Sequence, residues 1–207
     1  MTKVKICGIT NLDDALLAAR LGADMLGFNF YEKSPRFVGL PTARDIAEKI
    51  PKSVFKVGVF VNMEASRIDE FVSMVGLDGI QIHGDEDDAF VSELRSKTHT
   101  KIIKACRITK DRSTWPSAEN DADYFLLDSY SNEYGGSGKT FDWSVVDALN
   151  GLKEKIILAG GLNEDNVAEA VGTVRPFAVD VASGVESSPG KKDPRKLEAF
   201  IRNAKNA

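Results

Sequence analysis

Cys7 ends the run Lys5-Ile6-Cys7-Gly8, and Asp128 stands in Phe125-Leu126-Leu127-Asp128-Ser129, so each falls at the C-terminal end of a predicted strand. A thiol and a carboxyl in such places can take up and release protons. Two glycine-bearing segments come later, Ala159-Gly160-Gly161-Leu162 and Ala182-Ser183-Gly184-Val185-Glu186. Glycine lets backbone N–H groups approach an anion closely. The combination suggests acid–base chemistry on a phosphorylated substrate. A Gly-Gly turn at a strand end is also ordinary turn chemistry; two such loops in this order favour phosphate.

The elements that must position these residues alternate along the chain. Short apolar runs lie at Val4–Cys7, Asp24–Phe30, Val54–Val61, Gly79–His83, Lys101–Arg107, Asp123–Asp128, Lys155–Ala159 and Phe177–Val181. Helical patterns lie at Asn11–Leu21, Thr42–Ile50, Glu64–Val75, Asp87–Lys97, Asp142–Leu149, Asn163–Val171 and Asp193–Lys205. The link from Ile108 to Asn120 is not helical, since Trp115-Pro116 interrupts it. Alternating strands and helices imply βαβ units and a parallel sheet. Eight units of about 26 residues suit a lean α/β (β/α)₈ TIM barrel, expected to be one domain over residues 1–207. Parity supports closure: Lys5 and Cys7, Gln81 and His83, Leu126 and Asp128, and Ala178 and Asp180 each share a strand face opposite to Ile6, Ile82, Leu127 and Val179. Barrel active sites form at the carboxyl ends of the strands, and the loops after strands seven and eight commonly hold phosphate.

Composition narrows the partners. A formal net charge of -4, with no Lys/Arg block, argues against nucleic acid or an anionic membrane surface. No apolar run approaches the ~20 residues of a membrane span. Two cysteines, Cys7 and Cys106, are too few and too far apart for a disulfide framework or thiolate cluster, and no metal or cofactor is implied. Met1-Thr2-Lys3 leads into a strand without a signal-peptide apolar region, which predicts a cytoplasmic protein. Gly135–Thr140 is similar to a P-loop but has Glu133 where the motif needs glycine. The long segment 129–141 is expected to be a loop, either a mobile flap over the site or a solvated connection. His99 and Cys106 are expected to be structural, and Asp85–Asp88 to open a helix.

Taken in order, several motifs resemble phosphoribosylanthranilate isomerase: Lys-Ile-Cys-Gly-Ile-Thr at 5–10, Ser-Pro-Arg at 34–36, Val-Gly-Val-Phe-Val-Asn at 57–62 and Gln-Ile-His-Gly-Asp-Glu at 81–86. Leu-Leu-Asp-Ser at 126–129, Leu-Ala-Gly-Gly-Leu at 158–162, Val-Asp-Val-Ala-Ser-Gly-Val-Glu at 179–186 and Pro-Gly-Lys-Lys-Asp at 189–193 continue the match. It covers essentially the whole chain. The resemblance implies an Amadori rearrangement in tryptophan biosynthesis, with Asp128 as general acid and Cys7 as general base. It also implies Arg36 as the anchor of the anthranilate carboxylate and His83 as a pocket residue.

On residue type alone, Cys7 also reads as a small buried apolar residue and Asp128 as a turn or cap residue. A protonated carboxyl beside a thiolate reverses the ordinary order of their pKa values, about 3.9 and 8.5. Lys5, two residues before Cys7, is expected to favour the thiolate. Asp180 is expected either to orient a ribose hydroxyl or to pair with Lys5. Gly160, Gly161, Ser183 and Gly184 complete the expected substrate contacts. Two rivals remain at this stage: another phosphosugar barrel enzyme, and a non-catalytic phosphoribosyl-ligand sensor. The expected partner is a small phosphoribosyl molecule, and the chain could be a monomer or a homodimer.

Overall fold

The alternation of apolar and polar residues resolves into a closed barrel. The computed structural model describes residues 1–108, 115–117, 119–129, 142–149 and 151–207. Parallel strands β1 (Lys3–Cys7), β2 (Met25–Asn29), β3 (Phe55–Phe60), β4 (Gly79–Ile82), β5 (Lys101–Ile108), β6 (Tyr124–Ser129), β7 (Ile156–Leu158) and β8 (Ala178–Val181) pair in sequence order, and β8 returns to β1. The closing register sets Lys5 opposite Asp180. The helices are α1 (Leu12–Leu21), α2 (Leu40–Lys49), α3 (Ala65–Val75), α4 (Asp88–Lys97), α5 (Val167–Val174) and α6 (Pro194–Asn206).

Strand parity divides the core as expected. Val4, Ile6, Ile80, Ile82, Phe125, Leu127, Val179 and Val181 face outward and pack with the helices in one large cluster. Met25, Val57, Ile103, Leu126, Ile157 and Ala178 fill the lumen. The Tyr124 and Phe177 rings stack 4.4 Å apart against this inner cluster. Lys5 and Gln81 are buried in the same sheet despite their polarity, and such groups are stable there only with polar partners.

An acidic residue just before each of three strands ties neighbouring strands together. Asp24, Asp78 and Asp123 each accept a backbone N–H from the preceding strand, at Val4, Lys56 and Ile102, all at 2.9 Å. Each carboxylate also meets a lysine: Lys3, Lys56 or Lys101.

Helix ends follow their side chains. Asn11, Asp87 and Asp193 accept N–H bonds from the first turns of α1, α4 and α6. These bonds replace partners that a helix start lacks. α5 begins at Val167, four residues later than expected at Asn163. Asn163 Oδ1 accepts from the Asp165 and Asn166 N–H groups, while Asn166 Oδ1 accepts from Asn163 N–H, so the two side chains hold a turn in place of a helix. Trp143–Ala148 is a 3₁₀ helix where an α-helix was expected. A small antiparallel hairpin that the sequence pattern did not reveal, β9 (Glu186–Ser188) with β10 (Lys191–Lys192), follows β8. Of the expected loop 129–141, Ser129 ends β6, and residues 130–141 lie outside the described residues.

Candidate active site

Cys7 closes β1, and its thiol needs room that the neighbouring strand supplies. Gly27 is its register partner on β2, where an added Cβ would lie 2.8 Å from Cys7 Sγ and 3.1 Å from Cys7 Cα. Any larger residue would press on the thiol. Beside it, Lys5 Nζ donates to Asp180 Oδ1 at 2.8 Å, so of the two expectations for Asp180 the structure displays the ion pair. Burial pushes the Cys7 thiol above its usual range; Lys5 and Lys192 pull it down, and Asp180 adds to the rise. Lys5 thus acts in the expected direction, but burial outweighs it. Cys106 is also buried, with its thiol pushed up to about 12, chiefly by burial.

Asp128 sits near the end of β6, across the barrel from β1. Its Oδ1 accepts the Ser129 N–H at 2.8 Å, and its Oδ2 lies 3.5 Å from His83 Nε2. His83 follows β4 directly, and its backbone N–H donates to Phe60 O at 2.8 Å. Gln81 Nε2 lies 2.7 Å from His83 Nδ1. An amide nitrogen only donates, so this assignment makes Nδ1 the acceptor and puts the ring proton on Nε2, facing Asp128. His83 Nε2 itself is buried without a hydrogen-bond partner among the described residues. It is a donor beside the carboxyl.

The glycine loops pack against this centre backbone to backbone. Gly160, with φ +81°, passes so close to β6 that a Cβ would lie 2.5 Å from Ser129 N and 3.0 Å from Asp128 Oδ1. Gly161 has φ +67°, and its carbonyl accepts from Asn166 Nδ2 at 3.0 Å. At Gly184 a Cβ would stand 2.0 Å from the Leu162 carbonyl oxygen. The loops after β7 and β8 therefore touch through backbone atoms, and only glycine permits it.

Arg36 enters from the loop after β2. Ser34 Oγ accepts the Arg36 N–H at 3.1 Å and takes an N–H bond from Asn29 Nδ2 at 3.1 Å, which shapes that loop. The guanidinium is held by Glu186: Nε lies 2.9 and 3.1 Å from its two oxygens, and Nη2 lies 2.8 Å from Oε2. Glu186 occupies the Nε/Nη2 edge, so a ligand carboxylate would meet the Nη1/Nη2 edge.

All nine residues singled out from sequence line a single cavity: Cys7, Arg36, His83, Asp128, Gly160, Gly161, Asp180, Ser183 and Gly184. Sequence reasoning did not single out Gly27, Asn166, Glu186 or Lys192: Gly27, Glu186 and Lys192 meet segments distant in sequence, and Asn166 acts through the turn it shares with Gly161 and Asn163. Gln81 was placed inward by parity, but its bond to His83 was not foreseen. Among the described residues, no group of three or more His, Cys, Asp or Glu side chains is placed to hold a metal ion, and no helix is long and apolar enough to cross a membrane.

A closed barrel that gathers a thiol, a carboxyl, a guanidinium and two glycine loops at the carboxyl ends of its strands defines a (β/α)₈ enzyme for proton chemistry on a small anionic substrate. Residues 4–203 match the family described as N-(5'phosphoribosyl)anthranilate (PRA) isomerase. The chain is 46% identical over 205 residues to the N-(5'-phosphoribosyl)anthranilate isomerase of Thermotoga petrophila, covering 99% of both. It is 47% identical over 206 residues to that of Citrifermentans bemidjiense, covering 99% of this chain and 98% of the relative. The crystal structure of phosphoribosyl anthranilate isomerase from Thermotoga maritima superposes with a TM-score of 0.92 at 45% identity over all of both chains. A phosphoribosyl anthranilate isomerase in complex with reduced 1-(o-carboxyphenylamino)-1-deoxyribulose 5-phosphate superposes with a TM-score of 0.89 at 41% identity, again over all of both. The chain belongs to the phosphoribosylanthranilate isomerase family of tryptophan biosynthesis.

Proposed function

We infer that the chain converts N-(5-phosphoribosyl)anthranilate into 1-(2-carboxyphenylamino)-1-deoxyribulose 5-phosphate by an Amadori rearrangement. The observation that carries this reading is the shared cavity of Cys7 and Asp128, flanked by glycine loops after β7 and β8, in a chain of this family. Asp128 acts as the general acid and gives a proton to the ribose ring oxygen. The C1′–O bond breaks, and the anilino nitrogen supplies the electron pair that makes a protonated Schiff base. The Cys7 thiolate then removes the proton from C2′, and that electron pair forms C1′=C2′ as the nitrogen becomes neutral. The Asp128 carboxylate takes up the O2′ proton and the Cys7 thiol returns its proton to C1′, which gives the ketone and restores both groups. The sequence begins and ends with the same number of protons on the substrate.

Around this chemistry, His83 Nε2–H stands ready to hold the Asp128 carboxylate once its proton has left. Arg36 meets the anthranilate carboxylate, the Gly160–Gly161 and Ser183–Gly184 loops hold the phosphate, and Asp180 keeps Lys5 fixed beside Cys7. The pathway supports a cytoplasmic enzyme. As for assembly, one solved relative from Thermotoga maritima is described as dimeric, which supports testing this chain for a homodimer by sedimentation.

The deciding experiment measures turnover of Cys7→Ala and Asp128→Asn. Each should lose at least about 10²-fold in kcat, the usual contribution of a positioned acid or base, while still binding the reduced product analogue. Near-normal turnover in either folded variant would remove that residue from the mechanism. Tight binding by the wild-type chain without turnover would make it a ligand sensor.

A further inference from the structure

Three charged side chains near the site, Arg36, Glu186 and Lys192, form a largely buried series beyond the acid–base pair itself. Arg36 grips Glu186 through Nε and Nη2. Glu186 also accepts from Lys192 Nζ at 3.0 Å. Lys192 Nζ donates further to the Cys7 carbonyl at 2.6 Å and to the Ala182 carbonyl at 3.3 Å. The lysine side chain has no exposed surface, and that of Glu186 is 5% exposed. A neutral amine offers two N–H donors and an ammonium three, so three acceptors around Nζ correspond to the charged form. Burial draws this ammonium below the usual lysine range, and the Glu186 carboxylate opposes that fall.

The charges matter because of what Arg36 is asked to do. Arg36 and Glu186 alone sum to zero, and an incoming carboxylate would meet the guanidinium with a second carboxylate already on its other edge. The guanidinium is largely withdrawn from water, and there like charges repel more strongly than at an open surface. With Lys192 the group sums to +1. One negative charge is then needed to balance it, and an arriving carboxylate supplies it.

We propose that Lys192 is a specificity-determining residue: by neutralising Glu186, it leaves the Arg36 charge available to the substrate's aromatic carboxylate. The proposal rests on the reading that Arg36 meets that carboxylate. Lys192 touches no substrate atom in this scheme; it acts through Glu186 and Arg36. The hairpin β9–β10 brings the two partners together, with Glu186 opening one strand and Lys192 ending the other.

The test compares two ligands in one binding assay: the reduced product analogue, and its anilino counterpart without the ring carboxylate. The ratio of their dissociation constants reads the preference for the carboxylate. Lys192→Met should cut that preference by at least about tenfold, and adding Glu186→Gln to it should restore the preference, because Arg36 then faces a neutral amide. Glu186→Gln alone should raise the preference, and this variant keeps the test open if Lys192→Met folds poorly. A merely structural lysine would weaken both ligands equally in Lys192→Met, with no recovery in the double variant, and that result would overturn the proposal. Arg36→Met separates the two layers. If it abolishes the preference while Lys192→Met leaves it intact, the role of Lys192 is wrong and the role of Arg36 stands. If Arg36→Met leaves the preference intact, both fall.

Discussion

Lys5 Nζ and Asp180 Oδ1 lie 2.8 Å apart inside the barrel, joining the first and last strands two residues from Cys7. The pair is what makes a buried lysine tolerable: burial works to lower the Lys5 ammonium, yet Asp180 and Cys7 together carry it above the usual lysine range. It also sets the field at the thiol, with Lys5 favouring the thiolate and Asp180 opposing it. Asp180→Asn should therefore lower the Cys7 pKa, leaving Lys5 and Lys192 to act on the sulfur without an opposing carboxylate. Thiolate absorbance in a Cys106→Ala background reads this directly, and a transition at the same or a higher pH than in the parent would refute the account.

Gly27 predicts a different kind of loss at the same thiol. A Cβ there meets Cys7 Sγ at 2.8 Å and Cys7 Cα at 3.1 Å, and the second contact is backbone in a paired strand. Gly27→Ala should cost about 1–3 kcal/mol of stability through overpacking. Because a small displacement of the proposed base is costly, kcat should fall at least about tenfold, with a smaller change in KM. Denaturation and steady-state kinetics check both, and wild-type kinetics would mean that β1 yields without moving the sulfur.

Much of this site was legible because a strand has a period of two. Once Cys7 and Asp128 were read at strand ends, parity put Lys5, Gln81, His83 and Asp180 in the lumen, and the structure bears that out. Connections across the barrel were not legible. Lys192 reaches the Cys7 carbonyl over 185 positions of sequence, and nothing local in Gly190-Lys191-Lys192 announces it. β9 and β10 span three and two residues, too short for an alternating pattern to register. The late start of α5 had a local signal, the Asn163 and Asn166 pair, whose side chains compete with the helix for backbone partners. α2 starts at Leu40, two residues before the pattern beginning at Thr42, because its first turn tolerates Pro41.

The carboxylates that tie neighbouring strands predict acid lability. Burial tends to raise Asp24 and Asp123, but bonds from Lys3, Val4 N–H and Lys205 in one case, and Lys101, Ile102 N–H and Arg95 in the other, hold both below the usual carboxylate value. A folded-state pKa below the unfolded one contributes stability that is present above pH 3.8 and lost as pH falls through the lower folded value. Asp24→Asn and Asp123→Asn should each cost about 1 kcal/mol at pH 7, discounted for solvent screening. The deficit relative to wild type should shrink toward zero as both are taken below pH 3.8. Urea unfolding at several pH values measures it, and a deficit that is constant with pH would assign the loss to packing.

The two glycine loops proposed to hold the phosphate give the most exposed prediction, because two glycines in them are required for different reasons. Gly161 has φ +67°, so a side chain there strains the backbone by roughly 1 kcal/mol. Gly184 instead lies so close to the Leu162 carbonyl, with a Cβ only 2.0 Å away, that any side chain must push the two loops apart. Both changes should deform the cradle, and Gly184→Ala should do so more strongly than Gly161→Ala. The dissociation constant for the phosphorylated product should rise much more than that for its dephosphorylated counterpart, and inorganic phosphate should lose whatever competition it shows against the wild-type chain. Equal losses for the two ligands would mean that the loops shape the cavity in general, and the phosphate assignment would fail even with the isomerase activity intact.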